Sequence, residues 1–421
     1  MTKTGKGGIG IWISAIRRRR ASHTLALGLV LVAALLAAYG AQAQTFSVLH
    51  SFKGTDGIDP QGDLLRDVAG NIYGTTSAGG LKYGVVFKLD ATDKETVLYT
   101  FKGGADGGSP RAGLVRDASG NFYGTTYSGG GATGDGVVFK LTGHTETVLH
   151  SFAGPDGAHP TGALIRDKSG NLYGTTFYGG TAACSCGTVF KINSTGTETV
   201  LYSFTGSADG KFPAGKLFLD GVGNLYGTAS EGGFVNCDNL TDGCGVVFKI
   251  SPSGGETVLY TFDGDSLSKN DGGAPLAGLV RDSLGNFYGT AFFAGDPSRA
   301  CALNRGCGVV FALSKTGVES VLYTFTAGTD GANPEGNLVR DAAGNLYGTT
   351  KIGGQGTGFV GYGTVFKLDS TGAETILYSF TGTNDGAGPV AGLVLDSAGN
   401  LYGTAAFGGS FGHGVVFKVA P

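Results

Sequence analysis

Tryptophan and methionine are almost missing from this chain: there is one of each in 421 residues, Trp12 and Met1. Both fall within the first 43 residues, so any aromatic stacking on a ligand is left to tyrosine and phenylalanine. No apolar run reaches the roughly 20 residues of a membrane span. The longest, Leu25–Ala38, follows Arg17–Arg20 and precedes Ala41-Gln42-Ala43, the order of a secretory signal peptide. Residues 1–43 are therefore expected to be removed, leaving 44–421 as a secreted or periplasmic protein with no membrane span. The leader carries six of the 30 Lys+Arg and none of the 33 Asp+Glu, so the remaining chain is acidic. No basic cluster follows it, which excludes nucleic acid as a partner. G-x-S-x-G, H-E-x-x-H and P-loop motifs are absent too. No catalytic residue is assigned, no cofactor or metal is expected, and the balance leans away from an enzyme.

Glycine, by contrast, is abundant, at 80 of 421 residues, and it is periodic. GNLYGTT at Gly170–Thr176 recurs with small changes six more times, with its asparagine at 71, 121, 171, 224, 286, 345 and 400. Spacings of 50 to 62 residues belong to solenoids and propellers. Each unit reads as four short strands, exemplified by Gly113–Asp117, Asn121–Thr125, Gly136–Leu141 and Glu146–Phe152. The third and fourth are nearly apolar on both faces, which suits a sheet covered on both sides.

The ends decide between a ring and a stack. Thr45–Phe52 is a fourth-type strand with no blade before it, and Gly414–Val419 a third-type strand with no fourth after it. The strands balance if the first completes the last. The expected fold is all-β: a single seven-bladed β-propeller of four-stranded antiparallel blades, closed by residues 45–52 joining Gly392–Val419 in blade seven.

The repeated word then has a mechanical reading. Asp precedes Asn by four in every copy, from Asp67–Asn71 to Asp396–Asn400, as in a hairpin that Asp caps and Gly turns. Tyr supplies packing area and a hydroxyl that needs a partner, and the next Gly is expected to admit a neighbouring backbone. The words S-F-x-G-x-x-D-G-x-x-P, G-x-L-x-x-D-x-x-G-N-x-Y-G-T and G-x-V-F-K-L recur in this order throughout 45–421. In this the chain resembles the GloVer tandem repeat of bacterial exported proteins. That resemblance implies export and repetition, and brings no assigned chemistry. The shorter D-x-x-G-N-x-Y is similar to NHL and SMP-30-like propellers and implies only the blade pattern.

Candidate function lies on the face of the second-to-third loops, which hold 7, 9, 10, 15, 16, 12 and 8 residues and swell over blades four and five. The candidate ligand-binding set is Phe234, Asp238, Asp242, Asp265, Lys269, Phe292, Phe293, Asp296, Arg299 and Arg305. Tyr127, Tyr178 and Phe292 are the available stacking faces. The six cysteines sit in loops of blades three to five and read as disulfides: Cys237–Cys244, Cys301–Cys307, and the less certain Cys184 with Cys186, which needs a sharp turn. Seven Asp-Gly pairs (Asp56, Asp106, Asp156, Asp209, Asp271, Asp330 and Asp385) are read as turn caps in preference to a cation collar. His50 and His150 only replace the repeat's tyrosine, and His159 is read as a solvated loop residue. The function expected is a non-enzymatic, monomeric binding module for an extracellular or periplasmic glycan, peptide or protein. A periplasmic lyase or hydrolase on a polysaccharide or lactone, with or without a metal's assistance, and a purely structural surface protein are the alternatives.

Overall fold

The computed structural model describes residues 1, 44–181, 183–233, 237, 242–264, 270–295, 306–355 and 361–420. The expected signal peptide, Met1 apart, lies outside them. All regular structure among the described residues is strand, arranged in seven antiparallel sheets. Blade two is typical, with strands Val115–Arg116, Phe122–Thr126, Val137–Thr142 and Thr145–Ser151 in sequence order across the sheet. Blade four adds a short strand, Lys211–Pro213, that pairs with an extended second strand, Leu225–Glu231. Blade seven is built from Val394–Leu395, Leu401–Ala405 and Val415–Ala420, with Thr45–Ser51 at its edge. The ring closes as the strand count requires, and Phe52 N–H donates to Gly414 O at 3.1 Å just past that seam. Among the described residues no helix is long and apolar enough to cross a membrane.

Phenylalanine joins the blades. The Phe ending each fourth strand meets, edge to face, the Phe of Val-x-Phe in the next blade's third strand: Phe101 with Phe139, Phe152 with Phe190, Phe204 with Phe248. The closing pairs, Phe380–Phe417 and Phe52–Phe87, have the same geometry, at 5.2 and 5.1 Å between centroids. All are fully buried. Each such ring contributes roughly 1.5–3 kcal/mol by leaving water.

The glycine of Tyr-Gly-Thr answers to this ring and not to a neighbouring backbone. A methyl group on Gly174 would lie 2.7 Å from Phe190 Cζ and 2.9 Å from Leu164, and Gly74, Gly227 and Gly403 face Phe87, Phe248 and Phe417 alike. Side-chain crowding from the paired strand therefore corrects the expectation of close backbone approach.

The repeated hairpin locks as its spacing implies. Asp167 accepts hydrogen bonds from Asn171 N (2.9 Å), Asn171 Nδ2 (2.6 Å) and the Tyr173 hydroxyl (3.1 Å), and the other six copies repeat this set. Burial pushes these carboxyls up, but the bonds from Asn and Tyr outweigh it and hold Asp167 below its ordinary value. Arginine from the next blade adds a tie: Arg116 reaches Asp67 at 3.4 Å and lies over the Tyr73 ring.

Two disulfides are seen, Cys237–Cys244 and Cys184–Cys186. Ser185, between the latter pair, takes φ 53°, which supplies the sharp turn a one-residue gap demands. Cys307 is disulfide-bonded, and Cys301 lies outside the described residues.

Candidate ligand site at the channel mouth

The segment between each Asp-Gly pair and the first strand contains a proline flanked by two variable positions, then a Gly or Ala, a position that is small in four copies and Asp63, Lys216 or Asn337 in the others, and a core leucine, as in His159-Pro160-Thr161-Gly162-Ala163-Leu164. The residue before a proline normally stays extended. Here all seven (Asp59, Ser109, His159, Phe212, Ala274, Asn333 and Gly388) are left-handed, with φ from 50° to 61°. A hydrogen bond across each blade junction holds them there. His159 N–H donates to Asp135 O (2.7 Å), Phe212 to Cys186 O (2.8 Å) and Asn333 to Cys307 O (2.7 Å). This backbone is strained for a non-glycine residue, and such strain persists where the surroundings over-determine it.

The segments of all seven blades converge on one cavity of about 340 Å³. First strands are thus innermost, and the cavity is the mouth of the central channel. Its floor is tied across the ring. Asn337 Nδ2 donates to Asp63 Oδ2 at 2.6 Å, and Asp63 Oδ1 accepts from Gly392 N at 2.7 Å. Asn337 Oδ1 accepts from Gly278 N at 2.5 Å, so four blades are joined. Glycine is needed at 278, where a Cβ would strike the Lys216 backbone oxygen, and at 392, where it would strike Asn337 and Asp63.

Above this floor the wall differs from blade to blade. The residue after the proline is Gln61, Arg111, Thr161, Ala214, Leu276, Glu335 or Val390, and all seven line the cavity except that Tyr127 and Phe177 also reach in beside Arg111 and Thr161. The Arg111 guanidinium lies 4.0 Å over the Tyr127 ring. Tyr127 stacks on His159 at 4.5 Å, and Phe177 stacks on Phe212 at 5.0 Å. Tyr178 sits edge-on to His159, Phe177 and Phe212, so one aromatic surface runs from blade two to blade four. His159 is consequently half-buried in a stack, not simply solvated.

Charges on the wall are unevenly satisfied. Glu335 is paired with Lys351 at 3.0 Å, and both Asp63 oxygens are taken by the floor. Arg111 and Lys216 are exposed and make no ion pair among the described residues. The cavity thus offers two free cations beside flat aromatic faces, an arrangement that receives an anionic group and a ring.

Of the loop residues expected to bind, Phe234, Asp238, Asp265, Lys269, Asp296, Arg299 and Arg305 lie outside the described residues. Asp242 is exposed and pairs with Lys211 at 2.9 Å. Phe293 packs against the core of blades four and five. Phe292 lies beneath the Lys351 ammonium, 5.8 Å away, which links it to Glu335 on the cavity wall. The seven Asp-Gly aspartates cap turns and bond the fourth strands, and none lines the cavity. Sequence reasoning missed the flanks of the proline. Their signal was available: neither flank repeats a residue type in seven copies, while the proline and leucine never change.

The Gloeobacter/Verrucomicrobia repeat family model matches residues 35–240 and 234–421. No curated protein matches the chain. Among solved structures it is similar to virginiamycin B lyase from Staphylococcus aureus at 13% identity and TM-score 0.57, covering 90% of this chain and 99% of that one. It is also similar to the extracellular domain of BT4673 from B. thetaiotaomicron, at 14% identity and TM-score 0.53, covering 90% of this chain and 42% of that one. At these identities the likeness is one of fold.

Proposed function

We propose, from the premise that the chain belongs to the Gloeobacter/Verrucomicrobia repeat family, that it is a non-enzymatic binding module outside the cytoplasm. Its ligand sits at the channel mouth and is an acidic saccharide. One observation carries this reading: the positions facing the mouth differ in every blade, while the frame holding them repeats seven times. Structural repetition alone would leave those positions as uniform as their neighbours. The Arg111 fork, which makes no ion pair among the described residues, suits a carboxylate, and Phe177 suits the apolar face of a pyranose ring. Both carboxylates on the wall are already engaged, which supports binding over acid–base catalysis. A cavity of about 340 Å³ lies at the small end of ligand sites. The disulfides support an oxidising compartment.

Calorimetric titration with a hexuronic acid oligosaccharide and its neutral counterpart tests this. The acidic ligand is expected to bind, with Arg111→Ala weakening it roughly tenfold or more, the worth of a charge-assisted hydrogen bond. Equal binding of the two ligands, or an unaffected Arg111→Ala variant, overturns the reading.

A further inference from the structure

Away from the mouth, each blade junction is pinned by three side chains. They are a residue near the end of one fourth strand, the Asp of the Asp-Gly pair that follows, and the residue opening the next blade's fourth strand, which is Glu at six junctions and Phe46 between blades six and seven. At five junctions the first of these is a tyrosine whose hydroxyl donates to the aspartate, as Tyr202 does to Asp209 and Tyr378 to Asp385. Three of those five add a threonine hydroxyl on the other aspartate oxygen, such as Thr205 on Asp209 at 2.6 Å. At two other junctions a lysine, Lys53 or Lys102, stands at the threonine position and offsets the paired carboxylates.

The junction of blades two and three has neither device. Position 153 is alanine, contributing only its N–H to Asp156 Oδ1 at 2.8 Å. The tyrosine is replaced by His150, whose Nε2 lies 2.8 Å from Asp156 Oδ2. Glu198 completes the set with a buried Oε1 that has no hydrogen-bond partner, as in Glu95, Glu146, Glu256 and Glu374 at other junctions, so it is His150 that sets this one apart. One donor atom from each residue lies within 4.8 Å of the others. The related His50, Asp56 and Glu95 at the ring closure are not drawn together to this degree, and Lys53 stands beside them.

We propose that this junction is a binding site for a first-row divalent metal ion of the zinc type, held by His150 Nε2 and one oxygen each of Asp156 and Glu198. One imidazole with two carboxylates suits zinc and its neighbours, whereas calcium takes six to eight oxygens. Two close carboxylates with no Lys or Arg between them disfavour each other's charged form, and a divalent ion between them would relieve that repulsion. Three protein ligands leave a position for water or for a group presented by a partner. The site does not depend on the mouth and stands or falls apart from it.

The test is zinc titration of the chelator-treated, unreduced full chain, alongside His150→Tyr and His50→Tyr. Both variants install the residue that five blades already carry, so folding is preserved. One equivalent of zinc is expected to bind and raise the melting temperature. His150→Tyr is expected to weaken binding by roughly 100-fold or more, beyond the effect of losing a mere supporting residue, and to abolish the shift. His50→Tyr is expected to change neither. Failure of the wild type to take up stoichiometric zinc overturns the proposal. So does retention of wild-type affinity by His150→Tyr, or loss of affinity in His50→Tyr.

Discussion

The seams between blades and the mouth of the channel are built from the same seven repeats under opposite rules. At the seam, Phe101 on Phe139 and Phe204 on Phe248 are interchangeable pairs at 5.2 and 5.1 Å. At the mouth, Arg111, Thr161 and Glu335 occupy one repeat position and share no chemistry. The buried phenylalanine pair packs each junction in the same way, so uniformity there reflects packing. No such demand acts on side chains that face the opening. Within a tandem repeat, sameness therefore marks where the protein touches itself and difference marks where it touches something else.

The largest effect that tests this contrast is at the seam. Phe139→Ala should lose about 3–5 kcal/mol in denaturant unfolding, and Phe190→Ala or Phe248→Ala should lose about the same, because the phenylalanine pairs are equivalent. Losses that differ widely between blades would break the equivalence. Gly174→Ala should cost about 1–3 kcal/mol by pressing a methyl group on Phe190, and Phe190→Leu in the same chain should recover part of it.

A milder, pH-dependent effect comes from the glutamates that open the fourth strands. Burial, and then the charge of Asp209, push Glu256 up to about 7, and burial followed by Asp56 does the same to Glu95. The folded state holds these protons more tightly than the unfolded one. Their contribution is therefore fully present below the ordinary glutamate pKa and lost as pH rises through about 7. The urea midpoint should fall from pH 5 to pH 8, and Glu256→Gln should flatten that fall. The smallest effect belongs to the mouth: Arg111→Ala should leave stability within about 0.5 kcal/mol while it changes binding. A mouth substitution that unfolds the protein would erase the distinction between the two regions.

The fold was legible because strand periodicity and the unmatched strands at Thr45–Phe52 and Gly414–Val419 required a closed ring. Two local readings needed coordinates. Gly174 is demanded by Phe190, sixteen residues on, whose ring crosses it only once the strands pair. Cys184–Cys186 is permitted by a left-handed Ser185, which spacing alone does not reveal. The site was harder to read because loop length was taken as the sign of variability. The mouth varies at constant length, one side chain at a time, on either side of a fixed proline. Residues such as Arg111 belong to no motif in the sequence, and only the assembled ring brings them to one opening.

The closing strand also sets an order in time. Blades one to six each assemble from neighbours in sequence, but blade seven needs Thr45–Ser51 to meet Val415–Ala420. Among the described residues that is the strand pairing most distant in sequence, and loop-closure entropy makes such contacts slow to form. Until they form, the edge of blade seven and the face of blade one that Phe52 covers stand open, so refolding should show a late phase in which the ring snaps shut. Cleaving off the first strand should leave six finished blades and an unprotected seam.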